Sequence, residues 1–354
     1  MQAFAQDEIA VSTMDSGGSH AEVYSIDRRY LLAQMELIFD ILSAALGTDS
    51  NLVDLEQAGG PYITAEKAKA IAATERMRSY SLTARSEELI RQSQQIEAEA
   101  QLAGTPLAIE RLALATGMSE TELEIVLVGV AAELDDRFER IFGYLNDNLH
   151  HNYPSLALVA KLWGYDPISA EFRQALSSHG TIFQHHLGEI VWEDQPFLSR
   201  GLKIYDAVVN FLLGNPAIDA DLVGVLSEPE LSATAIEGLG AAAAKAGAPC
   251  YVQGSDPGRV ASQICKSLVD VSWTPFFYDL RKAVAKRTDV VRQFDLLARD
   301  ARLLGAAVVV GPIDLLGSED IAHLDKLLDR GFPLVLFGMK EWPSLGYLMD
   351  PLLF

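Results

Sequence analysis

The chain of 354 residues carries 28 Lys and Arg against 49 Asp and Glu, a formal net charge of -21, and 49% of its residues are hydrophobic. That length exceeds one ordinary domain, and the apolar share can fill more than one core. The charge balance argues against a sequence-independent grip on nucleic acid or anionic lipid, because such affinity rests on Lys and Arg neutralising phosphates.

The opening stretch "MQAFAQDEIAVSTMDSGGSHAEVYS" has no basic start followed by an apolar run, so it does not read as a signal peptide. No uninterrupted apolar run reaches the roughly 18 residues that span a bilayer. A cytoplasmic location without membrane contact is the expectation that remains. Residues 1–26, polar and punctuated by Gly and Ser, read as a disordered N-terminus. From residue 27 to about 46, Leu31, Leu32, Met35, Ile38 and Leu42 recur at helical spacing and predict one amphipathic helix. Residues 64–101 are rich in Ala, Glu, Arg, Ser and Gln and predict two long, mostly solvated helices. Their apolar stripe is too thin for a core of its own, so this segment of the helical region, 27–104, is expected to pack on a neighbour.

Residues 105–215 form a denser unit. A helix through Ala115 ends at a turn of Thr116 and Gly117, and a second opens with Ser119 as N-cap and Glu122 at the capping-box position. A third runs through Phe138, Ile141, Phe142 and Leu145, and a short one starts at Pro154 and stops at Gly164. In "GTIFQHHLGEIVWEDQPFLSRGLKI" the residues Ile182, Phe183, Leu187, Ile190, Val191 and Trp192 alternate loosely with polar ones. Turn signals at Gly188-Glu189 and at Glu193 to Pro196 then predict a β-hairpin. Helices followed by a hairpin are the order of a winged helix, here closed by a helix that stops at Gly214.

Residues 216–354 alternate helix and strand. The strands are "PCYVQG", "TPFFYD", "AAVVVG" and "PLVLFG". The helices are "SATAIEGLGAAAAKAG", residues 258–269, "VVRQFDLLARDARLL" and "SEDIAHLDKLLDR". Apolar strands alternating with helices predict a parallel sheet covered on both faces. Four strands are visible, and the stretch after "PLVLFG" shows no further one. Cys250 and Cys265 fall in a strand and a helix of this unit and read as reduced core thiols.

The turn "YVQGSDPGRVASQICKSL" has the outline of a phosphate-cradling loop. A working loop of the form G-x-x-x-x-G-K-[ST] uses backbone N–H groups and Lys on phosphate and a hydroxyl on Mg²⁺. Here Gly254 and Gly258 stand one residue too close, Arg259 replaces Lys, and Val260 replaces the hydroxyl. Arg259 can still pair with phosphate, whereas valine cannot hold a metal. A plain Gly-rich strand-to-helix turn is the alternative. Nucleotide hydrolases also end an apolar strand with acids that organise Mg²⁺ and polarise water. In "AAVVVGPIDLL" those places hold Gly311 and Pro312, with an acid only at Asp314. The strand end "LVLFGMKEW" lacks the Asn or Thr that would sense a γ-phosphate. Hydrolysis at this cleft is not expected.

From about Thr105 onward the chain resembles the N-terminal portion of bacterial AAA+ ATPases that pair a variant winged-helix domain with a degenerate AAA+ domain. These include ATPases encoded with phage-tail-like contractile injection systems. The resemblance is carried by "VGVAAELDDRFERIFGYLNDN", "YPSLALVAKLW", "FLSRGLKIYDAVVNFLLGN" and "ARDARLLGAAVVVGPIDLL". It implies that Gly254, Gly258 and Arg259 are the remains of a Walker A loop, that Gly311 and Pro312 stand where Walker B acids were lost, and that Asp314 is the further acid that often follows them. The chain departs from the family in having no intact nucleotide site, lid or second AAA+ domain.

The expected fold class is therefore α plus α/β multidomain: a helical region, a winged-helix-like domain, and, over 216–354, a degenerate and incomplete AAA+-like P-loop sheet. The expected function is a non-catalytic adaptor or regulatory region of a remodelling ATPase, recruiting a protein partner or organising a homo-oligomeric ring. The alternative is an ATPase whose catalytic domain lies outside this chain. No catalytic residue and no metal ligand set is predicted, and binding of ATP or ADP without Mg²⁺ stays open. A DNA-binding regulator would use "SLALVAKLWG" as recognition helix, but that segment offers one cation, Lys161, and no Asn, Gln or Arg to read bases, beside a hairpin carrying Glu189, Glu193 and Asp194. The pairs His150-His151 and His185-His186 lack partners at ligand spacing and read as surface.

Overall fold

The computed structural model describes residues 19–48, 69, 79–148, 150–245, 249–317, 320–321, 323–327, 332–342 and 351–354. The chain divides into two compact units. The first comprises Met1–Ala113, Met118–Ser177 and Gly188–Asn215, the second Leu114–Gly117, Ser178–Leu187 and Pro216–Phe354.

In the first unit, helix α1 (Ser19–Thr48) starts 8 residues ahead of the predicted start at Asp27, so the end of the segment expected to be disordered is helical. Of the two helices predicted over 64–101, the first lies outside the described residues apart from Lys69. The second is α2 (Ala84–Ala103), which starts where Thr83 and Ser86 close a capping box and ends at Gly104 with φ 69°. Its thin stripe of Leu89, Ser93, Ile96 and Ala100 is buried, and α2 packs along α1, as the composition requires. Asp40 of α1 fastens the pair. Its Oδ2 accepts from Thr83 Oγ1 at 2.5 Å and from Ser86 Oγ at 2.6 Å.

Helix α3 (Ala108–Thr116) and helix α4 (Glu120–Leu134) follow, and α4 opens with both arms of the Ser119/Glu122 capping box in place. Helix α5 (Asp136–Leu145) buries Phe138 and Phe142. Helix α6 (Leu156–Trp163) stops at Gly164 as predicted but starts after Pro154, with Ser155 as its N-cap, and α7 (Ala170–Ala175) comes after a short turn. Ile182 and Phe183, expected in the hairpin, lie instead in the single-turn helix α8 (Thr181–Gln184), which belongs to the second unit. The hairpin pairs β1 (Gly188–Val191) antiparallel with β2 (Gly201–Ile204). Gly188 is therefore not a turn residue. It faces Ile204, and a Cβ there would stand 2.5 Å from the Lys203 carbonyl, so close approach of the strands accounts for the glycine. Leu156 N donates to Arg200 O at 2.9 Å and Leu202 N to Pro154 O at 3.0 Å, which adds residues 154–156 to the hairpin as a third extended segment. Helix α9 (Asp206–Leu212) completes the unit.

The second unit contains α10 (Ala220–Val223), β3 (Leu226–Ser227), α11 (Leu239–Ala243), β4 (Cys250–Gln253), α12 (Pro257–Val269) and β5 (Pro275–Asp279). After these come α13 (Leu280–Lys286), α14 (Val290–Leu304), β6 (Ala307–Gly311), β7 (Leu334–Gly338) and β8 (Leu352–Leu353). The sheet order is β3-β5-β6-β7-β4-β8, with β3 antiparallel and the other neighbours parallel. The four predicted parallel strands are present. The expectation that no further strand follows "PLVLFG" is corrected by β8, which pairs with β4, and β3 adds an unpredicted antiparallel edge. The helix predicted over "SATAIEGLGAAAAKAG" contracts to α11, and within the described part of "SEDIAHLDKLLDR" the residues His323–Lys326 form a 3-10 turn.

Alternate side chains serve opposite faces of the sheet. Tyr278, Val308, Val310 and Leu336 join Phe294, Leu297 and Ala301 of α14 in one buried cluster. Phe277, Val309, Val335 and Phe337 join Ile264, Cys265 and Leu268 of α12 in the other. Cys250 and Cys265 are free and buried, and burial pushes their thiols up to about 11 and about 12, which makes them inert core residues. Among the described residues no helix is long and apolar enough to cross a membrane.

Burial alone would raise the Asp40 carboxyl, but the hydrogen bonds from Ser86 and Thr83 outweigh it and hold the group below its ordinary 3.8. A depressed carboxylate contributes stability above its unfolded value and loses it as pH falls through the folded one. Asp40→Asn should therefore melt below wild type at neutral pH, and that gap should close as the pH is lowered past 3.8. Thermal melts of both proteins between neutral pH and about pH 3 check this, and a gap of constant size would contradict the assignment.

Candidate functional site

β4 ends at Gln253, the chain turns through Gly254, Ser255 and Asp256, and α12 begins at Pro257. The sequence Asp-Pro at this point is a helix start. Asp256 is the N-cap, and Pro257 sits at the first helical position, where the lost N–H has no helical acceptor to forgo. Asp256 Oδ1 accepts from Gly258 N at 3.1 Å and from Arg259 N at 3.2 Å. Amides at the start of a helix are the groups through which such turns hold phosphate. In this chain a carboxylate of the turn itself takes them.

The turn is also filled. Gly254 N donates to Gly338 O at 3.0 Å, and a Cβ on Gly254 would stand 2.4 Å from Val260 Cγ2. Val260, at the place of the metal-binding hydroxyl, is buried in the core against α12's own face of the sheet. Gly258 and Arg259 are exposed. The structure thus brings Gly254, Gly258 and Arg259 together on one strand-to-helix turn, with Asp256 in their midst.

The end of β6 explains the missing acids. A Cβ on Gly311 would lie 2.6 Å from two ring atoms of Phe337 and 2.7 Å from its carbonyl oxygen, so the position has no room for a carboxylate. Asp314 stands in a 3-10 turn just beyond, Ile313–Leu315. Its Oδ2 accepts from Met339 N at 2.6 Å and its Oδ1 from Lys340 N at 3.1 Å. The Asp314 carboxylate therefore caps the chain leaving β7. That same segment is tied to β4, because Tyr251 Oη donates to Lys340 O at 2.6 Å and Gln253 Nε2 to Met339 O at 3.3 Å. Burial, with the Asp314 charge adding to it, pushes the Tyr251 phenol up to about 12, so it stays a donor.

Asp256, Tyr251 and the Met339-Lys340 amides were not singled out from sequence. Asp256 had a legible signal in its Asp-Pro-Gly context, whereas the partners of Asp314 lie 25 and 26 residues away in the chain and carry no local mark. Among the described residues no group of three or more His, Cys, Asp or Glu side chains could hold a metal ion. His151 stacks on Trp192 with ring centroids 3.8 Å apart.

The helix that a DNA-binding regulator would have used is largely buried. In α6, Leu156, Leu158, Val159, Ala160 and Leu162 are buried. Trp163 Nε1 donates to Glu124 O at 3.2 Å, and Lys161 O accepts from Tyr80 N at 3.0 Å. Helix α7, earlier in the chain than the hairpin, exposes Glu171, Arg173 and Gln174 beside Ala170. Arg173 is committed within the unit, over the Phe197 ring at 3.9 Å and to Pro167 O at 2.8 Å.

Two successive helices leading into a β-hairpin define a winged-helix protein. Residues 13–226 match the family described as winged helix domain, variant, and the chain belongs to that family. No curated protein and no solved structure shows significant similarity to the chain.

Replacing Asp256 by Ala removes the acceptor of two amides and should lower stability to urea unfolding by ~1 kcal/mol. Arg259→Ala, at an exposed position, should stay within about 0.5 kcal/mol of wild type. The reverse order would show that the Arg259 side chain, rather than the Asp256 cap, holds the turn.

Proposed function

We propose that this chain is a non-catalytic adaptor or regulatory region, akin to the N-terminal part of an AAA+ remodelling ATPase of the kind associated with phage-tail-like contractile injection systems, and that it recruits a protein partner or organises a homo-oligomeric ring in the cytoplasm. The observation that carries this reading is the Asp256 carboxylate seated on the Gly258 and Arg259 amides. β4 lies between β7 and β8, so the strand order reverses around it, and ligands of open α/β sheets bind outside the carboxyl ends of strands at such a point. The β4–α12 turn therefore has the location of a nucleotide loop. Its Gly254, Gly258 and Arg259 amides are already bonded, and it lacks the metal-binding hydroxyl and the strand-end acids that the chemistry needs.

A sheet in this condition keeps its packing surfaces after losing its reaction, which favours a protein-binding role. The buried α6 and the carboxylates Asp166, Glu171, Glu193 and Asp194, exposed around α7 and the hairpin, weigh against a DNA-binding regulator. An ATPase whose catalytic domain lies outside this chain is compatible with the same arrangement, and its gene would carry an intact G-x-x-x-x-G-K-[ST] loop followed by an apolar strand ending in Asp-Glu.

Calorimetric titration of the chain with ATP and ADP, with and without Mg²⁺, tests the reading. The expected result is no saturable heat at millimolar nucleotide and no phosphate release. Saturable heat that disappears in Arg259→Ala would make the turn a working nucleotide switch and overturn the adaptor reading.

A further inference from the structure

The segment after β7, residues 339–342, runs across the carboxyl ends of β6 and β4 on side-chain tethers from both. Its outer surface is open, since Met339, Lys340 and Glu341 are exposed. Its inner anchor is the Trp342 ring, half-buried against Tyr251 with ring centroids 5.2 Å apart. The Trp342 indole Nε1 is shielded from solvent and has no hydrogen-bond partner among the described residues. A buried donor without an acceptor disfavours the closed arrangement. The tethers that oppose it are few and identifiable, and two of them converge on the single carboxylate of Asp314.

We propose that residues 339–342 form a strap that closes the carboxyl edge of the sheet over β4 and β6, that Asp314 is its latch, and that the strap opens as a local unit while the sheet stays folded. The inference deepens the non-catalytic reading and rests on it, because the strap lies across the strand ends where a nucleotide would have to sit. Three features separate strap opening from unfolding. The tethers are made by side chains of β4 and of the turn after β6, whereas the ladder of β7 with β4 and β6 is backbone. Met339, Lys340 and Glu341 are exposed, so Trp342 is the strap residue that packs against a core cluster, and it does so as a partly buried side chain. Cys250 and Cys265, the only cysteines in the chain, lie at the centre of one of those clusters and report on its integrity.

The test compares amide hydrogen exchange in wild type, Asp314→Ala and Asp314→Asn, with the reactivity of Cys250 and Cys265 toward an aromatic disulfide reagent followed in parallel. The Met339 and Lys340 amides should exchange roughly tenfold faster in Asp314→Ala than in wild type, with both cysteines still unreactive. Asp314→Asn, which keeps an uncharged acceptor, should fall between them. Unchanged exchange at Met339 and Lys340 in a folded Asp314→Ala would overturn the latch. Faster exchange throughout the sheet in step with thiol labelling, in Asp314→Asn as well as Asp314→Ala, would overturn the strap as a local unit. Adding millimolar ATP with Mg²⁺ to wild type separates the two proposals: new protection confined to Gly258 and Arg259 would defeat the non-nucleotide reading, while the strap is judged at Met339 and Lys340 alone.

Discussion

Backbone amides at the carboxyl edge of a parallel sheet lie beyond the last ladder hydrogen bond and must find acceptors elsewhere. Here two carboxylates supply them. Asp256 takes the amides of Gly258 and Arg259, and Asp314 takes those of Met339 and Lys340. In a nucleotide-binding sheet the same edge presents free donors to phosphate. Each carboxylate satisfies donors within its own fold, so the amides of Gly258, Arg259, Met339 and Lys340 are already paired.

The neighbouring positions agree with it. Gly311 is forced by the approach of Phe337, which leaves no space for the acid of a hydrolase, and Val260 packs into the core instead of facing a metal. Gly254 N is bonded to Gly338 O, drawing β4 and the end of β7 together. The winged-helix unit shows a parallel substitution. Its helix α6 is held by Tyr80 N on the Lys161 carbonyl and by Trp163 Nε1 on the α4 carbonyl of Glu124, and Asp166, Glu171, Glu193 and Asp194 are exposed around α7 and the hairpin. In the second unit the turn keeps its place in the sheet without a metal-binding hydroxyl or strand-end acids, and the exposed cation Arg259 stands beside the Asp256 carboxylate.

Much of this was legible from sequence because it rests on local rules. Ser119 with Glu122, the stop at Gly164, and the apolar runs of β4 to β7 announce themselves within a few residues, and the structure places them accordingly. The errors arose where tertiary contact overrides the local signal. Gly188 resembles a turn residue but is a strand residue pressed against Lys203, and β3 and β8, two residues each, are too short to show a period. Leu156, Leu158 and Leu162 mark α6 as apolar, but the sequence does not show that Tyr80 and Glu124 bond to it from distant parts of the chain. Asp314 was recognised as an acid near a strand end. Its partners, across a crossover connection, have no trace in the sequence around it.

The most direct measurement is the backbone amide spectrum of the folded chain during titration with ATP and Mg²⁺, followed at Gly254, Gly258, Arg259, Met339 and Lys340. If the chain's own carboxylates occupy the edge of the sheet, these resonances stay in place at millimolar nucleotide. Saturating shifts at Gly258 and Arg259 would mean that phosphate displaces Asp256, and would contradict the account.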